Sequence, residues 1–263
     1  MAGMNALFTR NFFAIARSRL NPGGVLAQWF HLYNMESDDL RSFLRAFIEV
    51  FPSAILWQLN EGDMLITGFN RDHGADSVAH EPGPAAAADM RAAGVTDAEI
   101  LSTLYVMQGA DLASFSAGIA VNTDDGPMLE FHGQRNLHLQ TDEGNAHDLA
   151  AFPCVLPQPK HVNAAWAQAT PALWLARGIM FEKAESCRLA SESFGHVGKQ
   201  DHEYTSALDG MIRCARTPGE RDLAGTLETR TKEAPEAARA GRRAEAEILF
   251  TALTQAYQGQ PGP

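Results

Sequence analysis

Zinc-type histidine pairs, a cysteine framework, a glycine-rich phosphate turn and a membrane-length apolar run are all missing from this sequence. The nine histidines form no H-x-x-x-H or H-E-x-x-H pair, so no metal site is expected. Cys154, Cys187 and Cys214 lie far apart without metal-ligand spacing. That pattern fits a reducing cytosol better than a disulfide framework, and a cytoplasmic location is expected. The 22 glycines include no G-x-G pair, which removes the usual turn for a nucleotide cofactor. No run reaches the roughly 20 apolar residues that span a bilayer. The start, MAGMNALFTRNFF, has one arginine after its apolar residues and no small-residue cleavage site, unlike a signal peptide. Positive charge is also short: 21 Lys and Arg against 32 Asp and Glu leave −11. Such a surface repels phosphate backbones, so nucleic acid is excluded as a first partner.

What is present is a chain of 263 residues with 45% hydrophobic content, sized for one large domain or a domain with an appendage. Thr9 is placed to cap a helix carrying Phe12, Phe13, Ile15, Ala16 and Leu20, which Asn21-Pro22-Gly23-Gly24 ends. Val25 to Tyr33 reads as a strand buried on both faces, because its apolar run hardly alternates. Ser37-Asp38-Asp39 opens a second helix whose stripe is Leu40, Phe43, Leu44, Phe47, Ile48 and Phe51, and Pro52 stops it. Strands follow at Ala54–Leu59 and Asp63–Phe69 across a Glu61-Gly62 turn. Two parallel strands joined by a helix form a crossover, and the hairpin strand fits between them.

Beyond Arg71–Ala88, a Gly/Pro/Ala-rich loop, short helices are expected at Ala86–Ala93, Asp97–Met107 and Asp111–Ala117. Asn122–Phe131 reads as a turn with a short extended piece, and 134–160 as a linker. From 161 to 263 the chain reads as helical. Thr170-Pro171 opens a run to about Phe194, with further helices at Lys199–Arg216 and Pro235–Tyr257 and a frayed GQPGP end. Alanine spacing points to helical hairpins, but no 34-residue period emerges.

The segments ALFTRNFF, LNPGGVLAQW and NTDDGPMLEF resemble the later half of the spermidine synthase family, in its fused bacterial branch. They match that family's Leu-Phe-Thr/Ser helix start, its Leu-x-Pro-Gly-Gly turn and strand, and its Asn-Thr-Asp-Asp-Arg-Pro signature, with Gly126 in place of arginine. The resemblance covers roughly residues 1–133. It implies the C-terminal half of a Rossmann-like sheet of the S-adenosylmethionine-dependent methyltransferase type, about three strands, followed by the helical region. It also implies aminopropyl transfer from decarboxylated S-adenosylmethionine to a polyamine. The family's nucleotide site and catalytic aspartate correspond to sequence upstream of Thr9, so the chain is expected to be truncated, to hold no cofactor alone and to be inactive alone. Its partners would be a polyamine, a missing N-terminal half, or a second copy at an exposed strand edge.

By resemblance Gln28 matches a glutamine near the amine substrate, and Trp57 lies near a family tyrosine. Ammonium groups need carbonyl or carboxylate acceptors and an aromatic face beside the methylenes. Gln28, Trp29 and Trp57 are therefore the candidate substrate-binding residues, each with an ordinary structural role as its alternative. Asp124 and Asp125 are either a carboxylate pair for a cation or a turn, and His31 is either a base at the sheet end or a packed histidine. Two other functions fit the sequence: a non-catalytic interaction module, and a methyltransferase using the same sheet.

Overall fold

The structure, a computed structural model, describes residues 5–70, 83–96, 99–133, 136, 139–215 and 237. The chain divides into two compact units, Met1–Glu81 with Ser102–Ala167, and Pro82–Leu101 with Gln168–Pro263.

The first unit opens with a 3-10 turn at Asn5–Phe8 and α1 at Arg10–Arg19. Thr9 caps α1 as its residue type demands, its hydroxyl accepting the Phe12 N–H at 3.2 Å. Then come β1 (Val25–His31), α2 (Ser37–Ile48), β2 (Ile55–Gln58) and β3 (Asp63–Phe69). Both β1 and β2 pair antiparallel with β3. They therefore run in the same direction with β3 between them, as the hairpin geometry requires. The fold is broadly α/β.

The α2 stripe is the core. Leu40, Phe43, Leu44, Phe47 and Ile48 are buried, and so is Phe51 just beyond the helix. Phe43 meets Phe30 of β1 with ring centroids 4.7 Å apart, and Phe47 meets Phe13 of α1 at 4.8 Å. Burying each such ring contributes about 1.5–3 kcal/mol. Gly68 in β3 is where Phe51 lies: a Cβ there would stand 2.4 Å from the ring.

Several expectations are corrected. β1 is not covered on both faces, for its residues alternate and Val25 and Trp29 are 48% and 45% exposed. An antiparallel sheet with helices on one side leaves its other side open. The sheet has four strands in the order β1-β3-β2-β4 rather than three. Of the helix expected at Asp97–Met107, only α4 (Glu99–Ser102) is described as helical, and Tyr105–Gln108 forms β4 against β2. There strand pairing of Tyr105, Met107 and Gln108 with β2 overrides the apolar spacing. Residues 97 and 98 lie outside the described residues. α5 follows at Gly109–Phe115, as expected. The extended piece expected before Phe131 is instead a helix, α6 (Met128–Gly133).

Residues 134–160, read as a linker, contain α7 (Asp142–Ala151) with Asn145 and Leu149 buried, and α8 follows at Lys160–Ala167. Low hydrophobicity hid α7, because its anchor is a polar side chain. Asn145 Nδ2 donates to the Leu32 and Met35 carbonyls, both at 2.8 Å.

The second unit holds α3 (Pro84–Ala92), α9 (Pro171–Lys183), α10 (Cys187–Gly195) and α11 (Tyr204–Ala215). Thr170 caps α9 through the Leu173 N–H at 3.2 Å. The single run expected to Phe194 is two helices, with Glu185 at φ +57° turning the chain between them. Phe194 packs where Gly178 and Gly210 carry no side chain: a Cβ at either would come within 2.3 or 2.5 Å of its ring. The cysteine expectation is overturned, since Cys187 and Cys214 form a disulfide between α10 and α11 with Cα atoms 5.0 Å apart. Sequence spacing cannot report that two helices will face each other. Of Pro235–Tyr257 only Ala237 is described, and most of the loop at Arg71–Ala88 and the GQPGP end also lie outside the described residues. Among the described residues no helix is long and apolar enough to cross a membrane.

Candidate functional site

The carboxyl end of β1 gathers the chemistry. Because successive strand residues face opposite ways, Trp29 and His31 lie on the open face, while Gln28 lies with Leu26 and Phe30 on the helix-covered face. His31 stands opposite Asp63 in register, and Trp29 opposite Leu65. Leu65 also faces Trp57, which in turn faces Tyr105. The open face thus carries a row Trp29–Leu65–Trp57–Tyr105, with the two tryptophans on either side of Leu65 about 10 Å apart by strand spacing.

The His31 ring stacks on Tyr33 at 4.2 Å and 12°, and meets Trp29 edge-on at 5.9 Å. Its Nδ1 lies 2.7 Å from the Tyr33 carbonyl. A carbonyl only accepts, so Nδ1 carries the hydrogen and Nε2 the lone pair. Burial, the larger influence, favours the neutral imidazole and holds His31 below its ordinary 6.5, against the opposing hydrogen bond to the Tyr33 carbonyl, which favours the protonated ring. Burial first, and then the Asp63 charge, raise the Tyr33 phenol.

Asp63 is held by the turn before it. Asn60 Oδ1 accepts the Gly62 and Asp63 N–H groups at 2.9 and 2.7 Å, and Asn60 Nδ2 donates to Asp63 Oδ2 at 2.8 Å. Asp63 Oδ1 is buried and, among the described residues, has no hydrogen-bond partner. A buried carboxylate oxygen without a donor costs free energy unless something supplies one. Gly62 lies under the Tyr33 ring, where a Cβ would come within 3.1 Å.

The loop carrying Tyr33 is fixed from the segment read as a linker. Thr141 Oγ1 donates to the Leu32 carbonyl at 2.9 Å and accepts the Met35 N–H at 3.1 Å, alongside the two Asn145 bonds. The arrangement presents a carboxylate, the Trp29 and Tyr33 rings and the His31 imidazole, which suits a cation with apolar length beside it.

Of the sequence-based candidates, Trp29 and Trp57 share the open face and Gln28 does not join them. Gln28 Nε2 instead donates to the Trp29 carbonyl at 2.9 Å. Trp57 Nε1 donates to Thr67 Oγ1 at 3.0 Å. Asp124 and Asp125 do not converge as a pair. Asp124 Oδ1 accepts the Thr9 hydroxyl at 2.6 Å, and Asp125 is exposed. Asn122, buried, donates to the Phe8 carbonyl at 2.9 Å, and Arg10 N–H donates to the Asn122 carbonyl at 2.9 Å. NTDDGP therefore docks onto the start of α1, which joins two of the resemblance-bearing segments.

Tyr33 and Asp63 were missed as site residues. The signal was the two-residue turn at Glu61-Gly62, which brings position 63 beside position 31 once β3 is set against β1. A second polar cluster lies at the start of α2, where the possible ligand atoms of Glu36, Asp39 and His132 fall within 4.8 Å of one another. His132 Nδ1 lies 2.6 Å from Asp39 Oδ1, and Asn136 Nδ2 donates to Asp39 Oδ2 at 3.0 Å. Asp39 is nearly fully buried, and these bonds dock α6 onto α2.

Compared with protein-family models, curated proteins and solved structures, the chain matches none of them.

Proposed function

We propose that this chain is the amine-recognising part of a spermidine synthase-like aminopropyltransferase, with a polyamine as its ligand. The observation that carries the proposal is the buried, unpartnered Asp63 Oδ1 beside the Trp29, His31 and Tyr33 rings. Support also comes from the strand arrangement, with β3 inserted antiparallel between the like-directed β1 and β2, which fits the closing half of a methyltransferase-type sheet. One ammonium of a diamine pairs with Asp63, and its methylenes lie along the aromatic rings. The other amine, neutral, attacks the carbon next to the sulfonium of decarboxylated S-adenosylmethionine. The C–N bond forms, the C–S bond breaks, methylthioadenosine leaves, and His31 Nε2 takes the proton. The sulfonium co-substrate would be held by the nucleotide-binding half that the family resemblance implies.

Calorimetric titration of the full chain with putrescine and spermidine is the test. Saturable heat that Asp63→Asn abolishes is the expected result, and no heat with either amine overturns the proposal. Parallel titrations with S-adenosylmethionine, its decarboxylated form and methylthioadenosine sort the alternatives. Binding of S-adenosylmethionine itself favours a methyltransferase, while silence with every ligand favours a non-catalytic interaction module.

A further inference from the structure

Two polar pairs from separate segments meet beside the start of α2. Glu36 stands at the N-cap of α2 without a side-chain cap bond, and Asp39 lies three residues on, in the first turn. His132 and Asn136 are four residues apart, and the Asn136 N–H donates to the His132 carbonyl at 3.0 Å, as in a helical turn. Side chains at these spacings share one side of their element. His132 and Asp39 are 93 positions apart, so no local histidine motif announces the group. One ligand atom from each of Glu36, Asp39 and His132 falls within 4.8 Å of the others.

Asn136 adds an independent sign of a ligand. It is fully buried, its Nδ2 donates to Asp39 Oδ2 at 3.0 Å, and its Oδ1 has no hydrogen-bond partner among the described residues. Docking α6 onto α2 uses Nδ2 and leaves that buried acceptor at a cost in free energy. Turning the amide over exchanges its two ends, and Oδ1 then stands 3.0 Å from Asp39 Oδ2. Neighbouring oxygens on a cation with bonds of about 2.1 Å are about 3 Å apart, and opposite ones about 4.2 Å. To admit an ion, the 2.6 Å contact between His132 Nδ1 and Asp39 Oδ1 opens slightly and the widest separation closes slightly.

The geometry points to a binding site for one divalent first-row transition-metal ion where α6 meets α2, held by Glu36, Asp39, His132 and Asn136 Oδ1. Two carboxylates, a neutral imidazole and an amide carry two negative charges, which balance such an ion. The imidazole nitrogen favours zinc and its neighbours over magnesium and calcium, and three oxygens keep manganese within range. With the ion bound, the His132 proton sits on Nε2 and Nδ1 turns its lone pair inward. The ion fastens the segment from α6 to Leu139 onto α2. The Leu139 carbonyl accepts the Asn34 N–H at 3.0 Å, so the same anchor steadies the loop that carries Tyr33. Its role is structural and separate from amine recognition.

Calorimetric titration of the chelator-stripped full chain with Zn²⁺ and Mn²⁺ tests the site, with Mg²⁺ and Ca²⁺ as controls. The expected result is one Zn²⁺ per chain, weaker Mn²⁺ competing for the same site, no heat from the controls at the same concentrations, and a melting temperature that rises with Zn²⁺. His132→Gln and Glu36→Gln should each weaken Zn²⁺ by at least about tenfold. His147→Gln and Cys154→Ser, at exposed positions, should leave it unchanged. Asn136→Asp separates ligation from docking: the metal-free protein should melt lower while Zn²⁺ binds at least about tenfold tighter. Glu36 is only partly buried, so Glu36→Gln decides if the variants at His132 and Asn136 fail to fold. The inference is overturned by no saturable Zn²⁺ heat, by Glu36→Gln binding Zn²⁺ as the wild type does, or by loss in His147→Gln or Cys154→Ser instead. Equal binding of Ca²⁺, or a folded Asn136→Asp that gains no affinity, overturns it as well.

Discussion

Thr9 shows how much one side chain can hold. Its hydroxyl caps α1 and also donates to Asp124, and the residue is fully buried. Thr9→Val keeps the shape and removes both bonds, so it should cost about 2 kcal/mol, a cap plus a part-buried charge-assisted bond. A urea midpoint that falls with an unchanged denaturant slope would confirm this, and an unchanged midpoint would not. The capping role was legible from Thr9 alone, but the bond to Asp124 was not, because it joins residues 115 positions apart. His31 makes a pH prediction. Its folded value lies below the ordinary 6.5, so as pH falls the unfolded chain takes up a proton before the folded one does. The stability it contributes is complete above about 6.5 and is lost as pH falls through the lower folded value. Unfolding midpoints measured from pH 8 to pH 5 should therefore decline more steeply in the wild type than in His31→Phe. Putrescine affinity should weaken over the same descent, because a protonated imidazole repels the ammonium it would neighbour.

Elements were legible where their order is local. The α2 stripe from Leu40 to Phe51 follows from 3.6-residue periodicity, and its burial follows from the apolar face it makes. α7 was hidden because Asn145 anchors it through hydrogen bonds to the loop after β1, and β4 because four residues beside a short helix show no strand period. The α10–α11 pair carries the element-scale prediction. The Cys187–Cys214 link closes a loop of 27 residues, for which chain-entropy reasoning gives about 3.5 kcal/mol. Thiol titration in denaturant without reductant should find one reactive thiol per chain, that of Cys154. Cys187→Ser should lower the helical unit's melting temperature, and reductant should do the same to the wild type. Three reactive thiols without reductant would remove the link. In the native state the exposed Cys154 should react more slowly than an ordinary exposed thiol, since partial desolvation and then the Asp111 charge raise its pKa.

Across the whole molecule, composition set an acidic α/β chain with a helical second part, and motif order set a strand pair with a hairpin strand between its members. Those features were readable because turns, caps and periodicity act between near neighbours. The candidate site was readable only in part. Trp29 and Trp57 were named by residue type, Trp57 also by resemblance, whereas Gln28 was named by resemblance, and the strand turns it to the face opposite Trp29. Asp63 and Tyr33 came together only through the β1–β3 register and the α7 anchor. By itself the sequence determined the local elements α1, β1, α2, β2 and β3 and the apolar face of α2. The tertiary structure alone decided which face of β1 stays open, which carboxylate oxygen is buried without a donor and which cysteines meet. Those outcomes depend on pairing between residues far apart in the chain, and no local preference encodes the partner.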